Sequence, residues 1–264
     1  MLNKFFKKKA QMMVGIDIGS HAVKAVLLSK GGQGYTLECL AMEPMPRGVI
    51  VDREIQDMEA IGNVIGRLRK KISSSVKHAA AAVSGQTVIT KIIYMDVALN
   101  EDELANQIEI EADSLIPYPL DEVSMDFESL DVNESDPSKI NVLLSAARTE
   151  SIEARVTTLD MGGFEAKVID VESYAVSRTH ELCLSALPDD ASDKMVAIVD
   201  IGATMTLLSV TDGGKHIYSR DQLFGGEQYT RSIISYYNKS FEEAESAKVS
   251  GDLPPNYTFE VLAP

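Results

Sequence analysis

Two distant stretches of this sequence share one pattern: an apolar run reaches an Asp, turns at a Gly and resumes as a second apolar run. The first is VGIDIGSHAVKAVLL at residues 14–28, and the second is AIVDIGATMTLLSV at residues 197–210. Each stretch predicts two β-strands joined by a short turn. The copies are too far apart in the chain for a solenoid repeat, so the pattern predicts two related domains that open with the same hairpin.

The turn of each hairpin has a composition that suits phosphate binding. Glycine has no Cβ, so backbone N–H groups beside it can approach an anion closely. Asp17 and Asp200 precede the turns, and their carboxylates are better suited to Mg²⁺, held through water, than to phosphate. Lys24 follows on the returning strand, where it can act as a point charge on phosphate. One such turn is weak evidence, whereas two copies predict a pair of phosphate clamps.

Composition excludes several classes of protein. The 264 residues are 45% hydrophobic and 25% charged, which is typical of a globular chain. No apolar run approaches the roughly 20 residues that a membrane-spanning helix needs. The net charge of −15 argues against a nucleic-acid partner, because phosphates require concentrated Lys and Arg. Residues 1–12 form a basic tail without the features of a secretory signal, either a frayed end or a contact for an anionic membrane surface.

One segment concentrates the acidic charge. Residues 92–138 hold 14 Asp and Glu residues and no Lys or Arg. Apolar residues recur among them, so we expect the segment to fold rather than to form an acidic tail. Two interpretations remain open, a solvated acidic face and a docking surface for a basic partner.

Hydrophobic spacing and capping signals place the other elements. Asn100, with Glu103 three residues later, predicts a capping box at the start of a helix that ends at Leu115. The remaining predicted helices are 55–72, 149–161, 172–187, 228–237 and 241–249, and the remaining strands are 140–146, 168–171 and 216–220. The predicted organisation is a first domain at 13–86 and 165–190, an inserted acidic α+β subdomain at 87–164, and a second domain from 194 to 264.

The two turns resemble the phosphate 1 and phosphate 2 loops of the actin, sugar-kinase and heat-shock-chaperone ATPases. The resemblance therefore implies an α/β fold of duplicated actin-like, ribonuclease H-like domains. Residues 168–175 resemble the first connecting helix, where Glu172 would be the catalytic residue that positions the attacking water. The nucleotide-binding residues that the resemblance implies are Asp17, Gly19, Ser20, Lys24, Asp200, Gly202, Ala203, Thr204, Gly225, Gly226 and Glu227, with Asp17 and Asp200 holding Mg²⁺.

Within this superfamily, residues 5–264 resemble the PilM family of type IV pilus assembly proteins. The pieces that carry the resemblance are the basic start before GIDIGS, IPYPL at 116–120, VAIVDIGA at 196–203 and FGG at 224–226. The resemblance implies ATP and Mg²⁺ as cofactors. It also implies a cytoplasmic protein that docks the N-terminal peptide of a PilN-like inner-membrane protein beside an insert similar to that of the division protein FtsA. Further implied partners are pilus motor and platform components and other copies of the chain, with only indirect attachment to the membrane.

The second domain departs from the family pattern. Residues 194–264 show no second connecting helix and no Gly-Gly adenosine loop, so we expect an incomplete second domain and half a purine pocket. Hydrolysis is expected to be slow, because Glu172 is the one candidate for a catalytic base. The alternatives are a sugar-kinase-like phosphotransferase, with Asp96 or Asp170 as the catalytic Asp aimed at a sugar hydroxyl, and a polymerising FtsA-like protein with a C-terminal amphipathic helix.

Overall fold

A computed structural model describes residues 12–32, 34–51, 54–84, 88–183 and 194–262 of the chain. The described residues divide into two units, one comprising 12–18 and 22–172 and the other comprising 19–21 and 173–262. Residues 191–193, which separate the predicted first and second domains, lie outside the described residues. The turn of the first hairpin therefore groups with the second unit, although its two strands belong to the first.

The first unit contains a mixed β-sheet. Its strands are β1 (Met13–Ile18), β2 (Ala22–Gly31), β3 (Gly34–Pro44), β6 (His78–Val83) and β10 (Glu165–Val171), while β4 (Ile50–Val51) and β5 (Glu54–Ile55) form a separate small hairpin. The spatial order is β10-β6-β1-β2-β3. β1 and β2 are antiparallel, and β6 pairs in parallel with both β1 and β10. Val14 and Ile16 are buried between exposed neighbours, as the alternation of side chains along a strand requires.

Two helices, α1 (Met58–Arg69) and α3 (Thr149–Met161), pack against each other beside this sheet. Their close approach depends on glycine. A Cβ on Gly62 would lie 2.6 Å from the Cβ of Met161, and one on Gly162 would lie 2.2 Å from Cγ2 of Ile65. The predicted helix at 55–72 is shorter in the structure because the Asp57 carboxylate caps it, accepting a hydrogen bond from the Ala60 N–H at 2.9 Å.

The acidic segment builds a sheet of its own. Its elements are β7 (Ile89–Asp96), α2 (Glu101–Leu115), a 3-10 turn (Leu120–Glu122), β8 (Val123–Val132) and β9 (Lys139–Arg148), with strand order β7-β9-β8. The predicted capping box is present: Asn100 accepts from the Glu103 N–H, and Glu103 accepts from the Asn100 N–H. The predicted insert, 87–164, also includes α3, whose Leu159 belongs to the core of the first sheet.

The second unit repeats the antiparallel meander of β1, β2 and β3. Its elements are α5 (His180–Cys183), β11 (Met195–Ile201), β12 (Thr206–Asp212), β13 (Lys215–Gln222), α6 (Gly226–Tyr237), α7 (Phe241–Ser250) and a last helical turn (Thr258–Leu262), and α4 (Glu172–Ser177) lies at the boundary of the units. The predicted helix 172–187 is interrupted between α4 and α5, and its last four residues lie outside the described part. None of the described helices combines the length and apolarity needed to cross a membrane.

Candidate nucleotide-binding site

The first hairpin places an aspartate of β1, before the turn, opposite a lysine of β2, after the turn. Asp17 and Lys24 are partners in the β1–β2 register, and Lys24 Nζ lies 3.0 Å from Asp17 Oδ2. Both side chains are more than half exposed, so the ion pair contributes at most about 1 kcal/mol to folding. The pair thus presents a cation and a carboxylate to solvent at the start of the turn.

The second hairpin has a turn that closes on itself. The Gly202 N–H donates to the Met205 carbonyl at 2.7 Å, and a Cβ on Gly202 would lie 2.9 Å from the same oxygen. The Thr206 hydroxyl, one residue beyond, donates to the Phe224 carbonyl at 2.8 Å. Glycine is required at position 202 because the turn folds back onto its own backbone.

The start of α6 is hydrogen-bonded to the backbone of this second turn. The N–H groups of Gly226 and Glu227 donate to the carbonyls of Gly202 and Ala203, at 3.0 and 2.8 Å. A Cβ on Gly225 would lie 2.5 Å from the Ala203 oxygen, so only glycine allows this approach. The amides of Gly226 and Glu227 are therefore already bonded to protein, and their contribution to a phosphate site would be to shape the 202–205 turn.

The two turns meet within the second unit. The hydroxyl oxygens of Ser20 and Thr204 are 3.1 Å apart, and either can donate. The backbone N–H groups of residues 19–21 and 203–205 donate no hydrogen bond to any described residue. Successive unbonded N–H groups at Gly-rich turns form a typical anion site. The arrangement fits a polyphosphate, whose oxygens would satisfy these donors.

A polar cluster joins α6 and α7, and it was not predicted from the sequence. Lys248 Nζ donates to the Gly226 carbonyl at 3.2 Å, to the Thr230 hydroxyl at 2.9 Å and to Glu245 Oε2 at 2.7 Å. Burial acts to raise the pKa of Glu245, but hydrogen bonds from Lys248 and Thr230, with the charges of Lys248 and His21, outweigh it and lower that pKa. The signal that the sequence offered was the spacing of Glu245 and Lys248, since residues three apart on a helix lie on the same face. The cluster fixes α6 against α7, and with it the backbone that supports the second turn.

Comparison with known proteins shows which family has this arrangement. The family model described as type IV pilus assembly protein PilM matches residues 15–264. The chain belongs to the PilM family. The solved PilM–PilN type IV pilus biogenesis complex matches 95% of this PilM-family chain and 73% of its own chain, with 25% identity and a TM-score of 0.78. The ethanolamine utilization protein EutJ from Carboxydothermus hydrogenoformans matches 96% of this chain and 66% of its own, with 16% identity and a TM-score of 0.55. The predicted actin-like fold is confirmed.

Glu172, the predicted catalytic residue of this PilM-family chain, is the first residue of α4 and is half-buried. It interacts electrostatically with Arg155, a nearly buried residue of α3. Arg155 donates from Nε to the Ala82 carbonyl and from Nη1 to the Ser151 carbonyl, at 2.8 and 2.9 Å. Burial lowers the pKa of Arg155, while the charges of Glu54 and Glu172 oppose that shift.

The two carboxylates that a sugar-kinase mechanism would need each accept a hydrogen bond from a nearby backbone N–H in this PilM-family chain. Asp96 accepts a hydrogen bond from the Ala98 N–H at 2.9 Å, and Asp170 accepts one from the Val171 N–H at 2.8 Å. Asp200 lies in β11, paired in register with Leu207 of β12. Within the described residues, no three or more His, Cys, Asp or Glu side chains cluster as ligands for a metal ion.

Proposed function

We propose that this PilM-family chain is a nucleotide-binding scaffold of the type IV pilus inner-membrane assembly platform. It binds Mg-ATP at the turns 19–21 and 202–205 and docks the cytoplasmic tail of a PilN-like membrane protein. It is cytoplasmic and reaches the membrane through that partner. Pilus motor and platform components, and further copies of the chain, are its other proposed partners.

The observation that carries the nucleotide proposal is the meeting of the two turns. Ser20 and Thr204 join them, and the N–H groups on both sides lack a described protein partner. In the proposal, Gly19, Ser20, Gly202, Ala203 and Thr204 contact the phosphates, and residues 225–227 support the second turn. Backbone amides and hydroxyls of this kind bind phosphate without a net positive protein charge.

Charged side chains complete the proposed site. Lys24 neutralises phosphate charge, and Asp17 and Asp200 hold Mg²⁺ through water, because hydrated Mg²⁺ is commonly bound by one or two carboxylates and phosphate oxygens. The bound nucleotide supplies a phosphoanhydride that can be hydrolysed. Glu172, which interacts electrostatically with Arg155, is the proposed base, and we expect slow turnover because the sequence offers no second candidate base.

The partner proposal is supported by the family and by the acidic insert. The solved relative is a PilM–PilN complex, and the chain shares its fold over 95% of this sequence. Residues 92–138 carry 14 acidic residues without a Lys or Arg, which favours a basic peptide. We place the PilN-like tail in a groove of the first domain beside the insert.

Calorimetric titration with Mg-ATP tests the nucleotide site. We expect Asp17→Ala and Lys24→Ala to weaken binding by about 10-fold or more, because each removes a charged contact worth about 1.5–3 kcal/mol. Lys71→Ala is the matched control, since it removes a lysine whose ion pair, to Glu43 at 2.7 Å, lies outside both turns. An unchanged affinity in the Asp17 and Lys24 variants would remove the phosphate-loop assignment.

Fluorescence polarisation with a synthetic cytoplasmic N-terminal peptide of a PilN-like protein tests the scaffold. We expect saturable binding that weakens as salt rises, because the insert is acidic and screening reduces the attraction. Absence of any polarisation change at low salt would contradict the scaffold function. This result does not depend on whether nucleotide binds.

A further inference from the structure

The inserted subdomain contains an open groove of about 430 Å³ at one end of its sheet. Its apolar walls include Val97, Leu99, Phe127 and Ile140, and Leu104 of α2 forms part of the lining. The groove lies wholly within the β7–α2–β8–β9 subdomain. It is therefore distinct from the nucleotide turns and from the groove beside the insert that is proposed for the PilN-like tail.

Two backbone features hold the groove open. After β7, the Val97 N–H donates to the Ser138 carbonyl and the Leu99 N–H to the Asp96 carbonyl, at 3.0 and 3.2 Å, which fixes the segment leading into α2. On the opposite side, the β8–β9 register shifts between Ser129 and Val132. An irregularity of this kind interrupts the ladder, and where it is a β-bulge it bends the strand locally. The opening is thus built by ordered backbone.

Part of the apolar surface of the groove is exposed to solvent. Val97 is 46% exposed, whereas Leu104 is nearly buried and belongs to the core of the subdomain. Leu99, Phe127 and Ile140 are partly buried against that same core. A Leu or Phe side chain inserted here would continue the core, and its removal from water would favour binding. The volume lies in the range of about 300–1,000 Å³ typical of ligand pockets.

The rim of the groove is acidic. Glu101 and Glu128 line it, and both are exposed. The surrounding residues 92–138 carry no Lys or Arg, and Lys139, paired in register with Asp96, is the cation that follows them. An anionic membrane or a nucleic acid would be repelled here, whereas a segment with Lys or Arg beside an apolar residue matches both the walls and the rim.

We infer that this groove docks a basic amphipathic peptide segment of a partner protein, with one bulky apolar side chain in the groove and Lys or Arg beside Glu101 and Glu128. β8 is one of the two edge strands of its sheet, and its far edge pairs with no other described strand. An extended segment can therefore also bond to the β8 backbone, as in recognition by strand addition. The inference stands independently of nucleotide binding.

Fluorescence anisotropy with three labelled hexapeptides tests the inference on the full chain. The probe is Lys-Lys-Leu-Phe-Lys-Lys, and the controls are Lys-Lys-Ser-Ser-Lys-Lys, without the apolar anchor, and Glu-Glu-Leu-Phe-Glu-Glu, with the charge reversed. We expect the probe to bind at least about 10-fold more tightly than either control, since both the anchor and the cations contribute. Equal binding of the probe and the serine peptide would overturn the groove as the site.

Matched double variants separate the rim from the general acidic field. The pair Glu101→Gln and Glu128→Gln removes two charges at the groove, while Glu109→Gln and Glu134→Gln removes two exposed charges of the same subdomain that do not line it. We expect the first pair to weaken the probe about 10-fold and the second less than about 2-fold. Equal weakening by both pairs overturns the inference, because it would show attraction to diffuse charge. Circular dichroism checks that every variant is folded.

Discussion

The hydroxyls of Ser20 and Thr204 are 3.1 Å apart, although 184 positions separate the two residues in the chain. Each lies in the turn of one copy of the repeated hairpin, and each turn presents N–H groups without a described protein partner. The contact thus brings the two equivalent turns of a duplicated pattern to one place. It is the geometric basis of the proposed phosphate site.

Removing either hydroxyl should affect ligand binding more than folding. We expect Ser20→Ala and Thr204→Val each to weaken Mg-ATP about 3- to 10-fold, while the free energy of unfolding changes by less than about 1 kcal/mol because the pair is exposed. The double variant should lose less than the sum of the two, since the hydroxyls act as a pair. Titration calorimetry and urea unfolding measure these effects, with Ser138→Ala in the insert as the control.

The fit between α6 and the second turn should depend on Gly225. We expect Gly225→Ala to lower the free energy of unfolding by about 1–3 kcal/mol, because the new Cβ would lie 2.5 Å from the Ala203 carbonyl oxygen. Gly66→Ala is the control, since its Cβ meets nothing within 4 Å and alanine favours the helix by up to about 1 kcal/mol. Equal thermal stability of the two variants would contradict the packing described for the turn.

Lys248 should stabilise the fold near neutral pH through Glu245, and acid should remove this stabilisation. The pKa of Glu245 is lowered in the folded chain, so its stabilisation is present above the unfolded pKa and is lost as pH falls through the folded pKa. Lys248→Met removes the main charge that lowers this pKa, so the variant should lose less stability on acidification than the native chain, with a cost of about 1–3 kcal/mol near neutrality. Acid unfolding followed by circular dichroism measures both effects, with exposed Lys77→Met as the control.

The preference of the half-buried His216 for its neutral form should lower the free energy of unfolding below neutral pH. Burial lowers the pKa of His216, whose Nε2 has no hydrogen-bond partner among the described residues and whose ring lies 4.5 Å from that of Tyr174. The unfolded chain therefore binds a proton more readily, and stability falls as pH drops through the unfolded value of about 6.5. Urea unfolding at pH 7.5 and 5.5 should show a smaller loss for His216→Phe than for the native chain. The same loss in both would exclude His216 as the cause.

Local signals in the sequence predicted much of the secondary structure. Asn100 and Glu103 predicted the start of α2 because a capping box needs only residues three apart. The helix predicted at 172–187 failed as one element, since α4 ends at Ser177 and α5 begins at His180. Periodicity alone did not reveal that interruption.

The binding roles predicted from the sequence depend on contacts that no local pattern contains. Gly225, Gly226 and Glu227 were predicted as nucleotide contacts, and in the structure they support the carbonyls of the second turn. Arg155 and Lys248 were not predicted at all. Their importance comes from partners such as Ala82 and Gly226, which are distant in the chain.

By itself, the sequence determined that two copies of one hairpin exist and that an acidic, folded segment lies between them, because strand alternation, Gly turns and charge are local properties. Only the tertiary structure decided that the turn at Ser20 meets the turn at Thr204 and that the insert leaves a groove beside Val97. It also decided that the amides of residues 226 and 227, at the start of α6, bond to the carbonyls of the second turn. These features depend on how separate elements pack, and packing joins residues whose distance along the chain carries no signal.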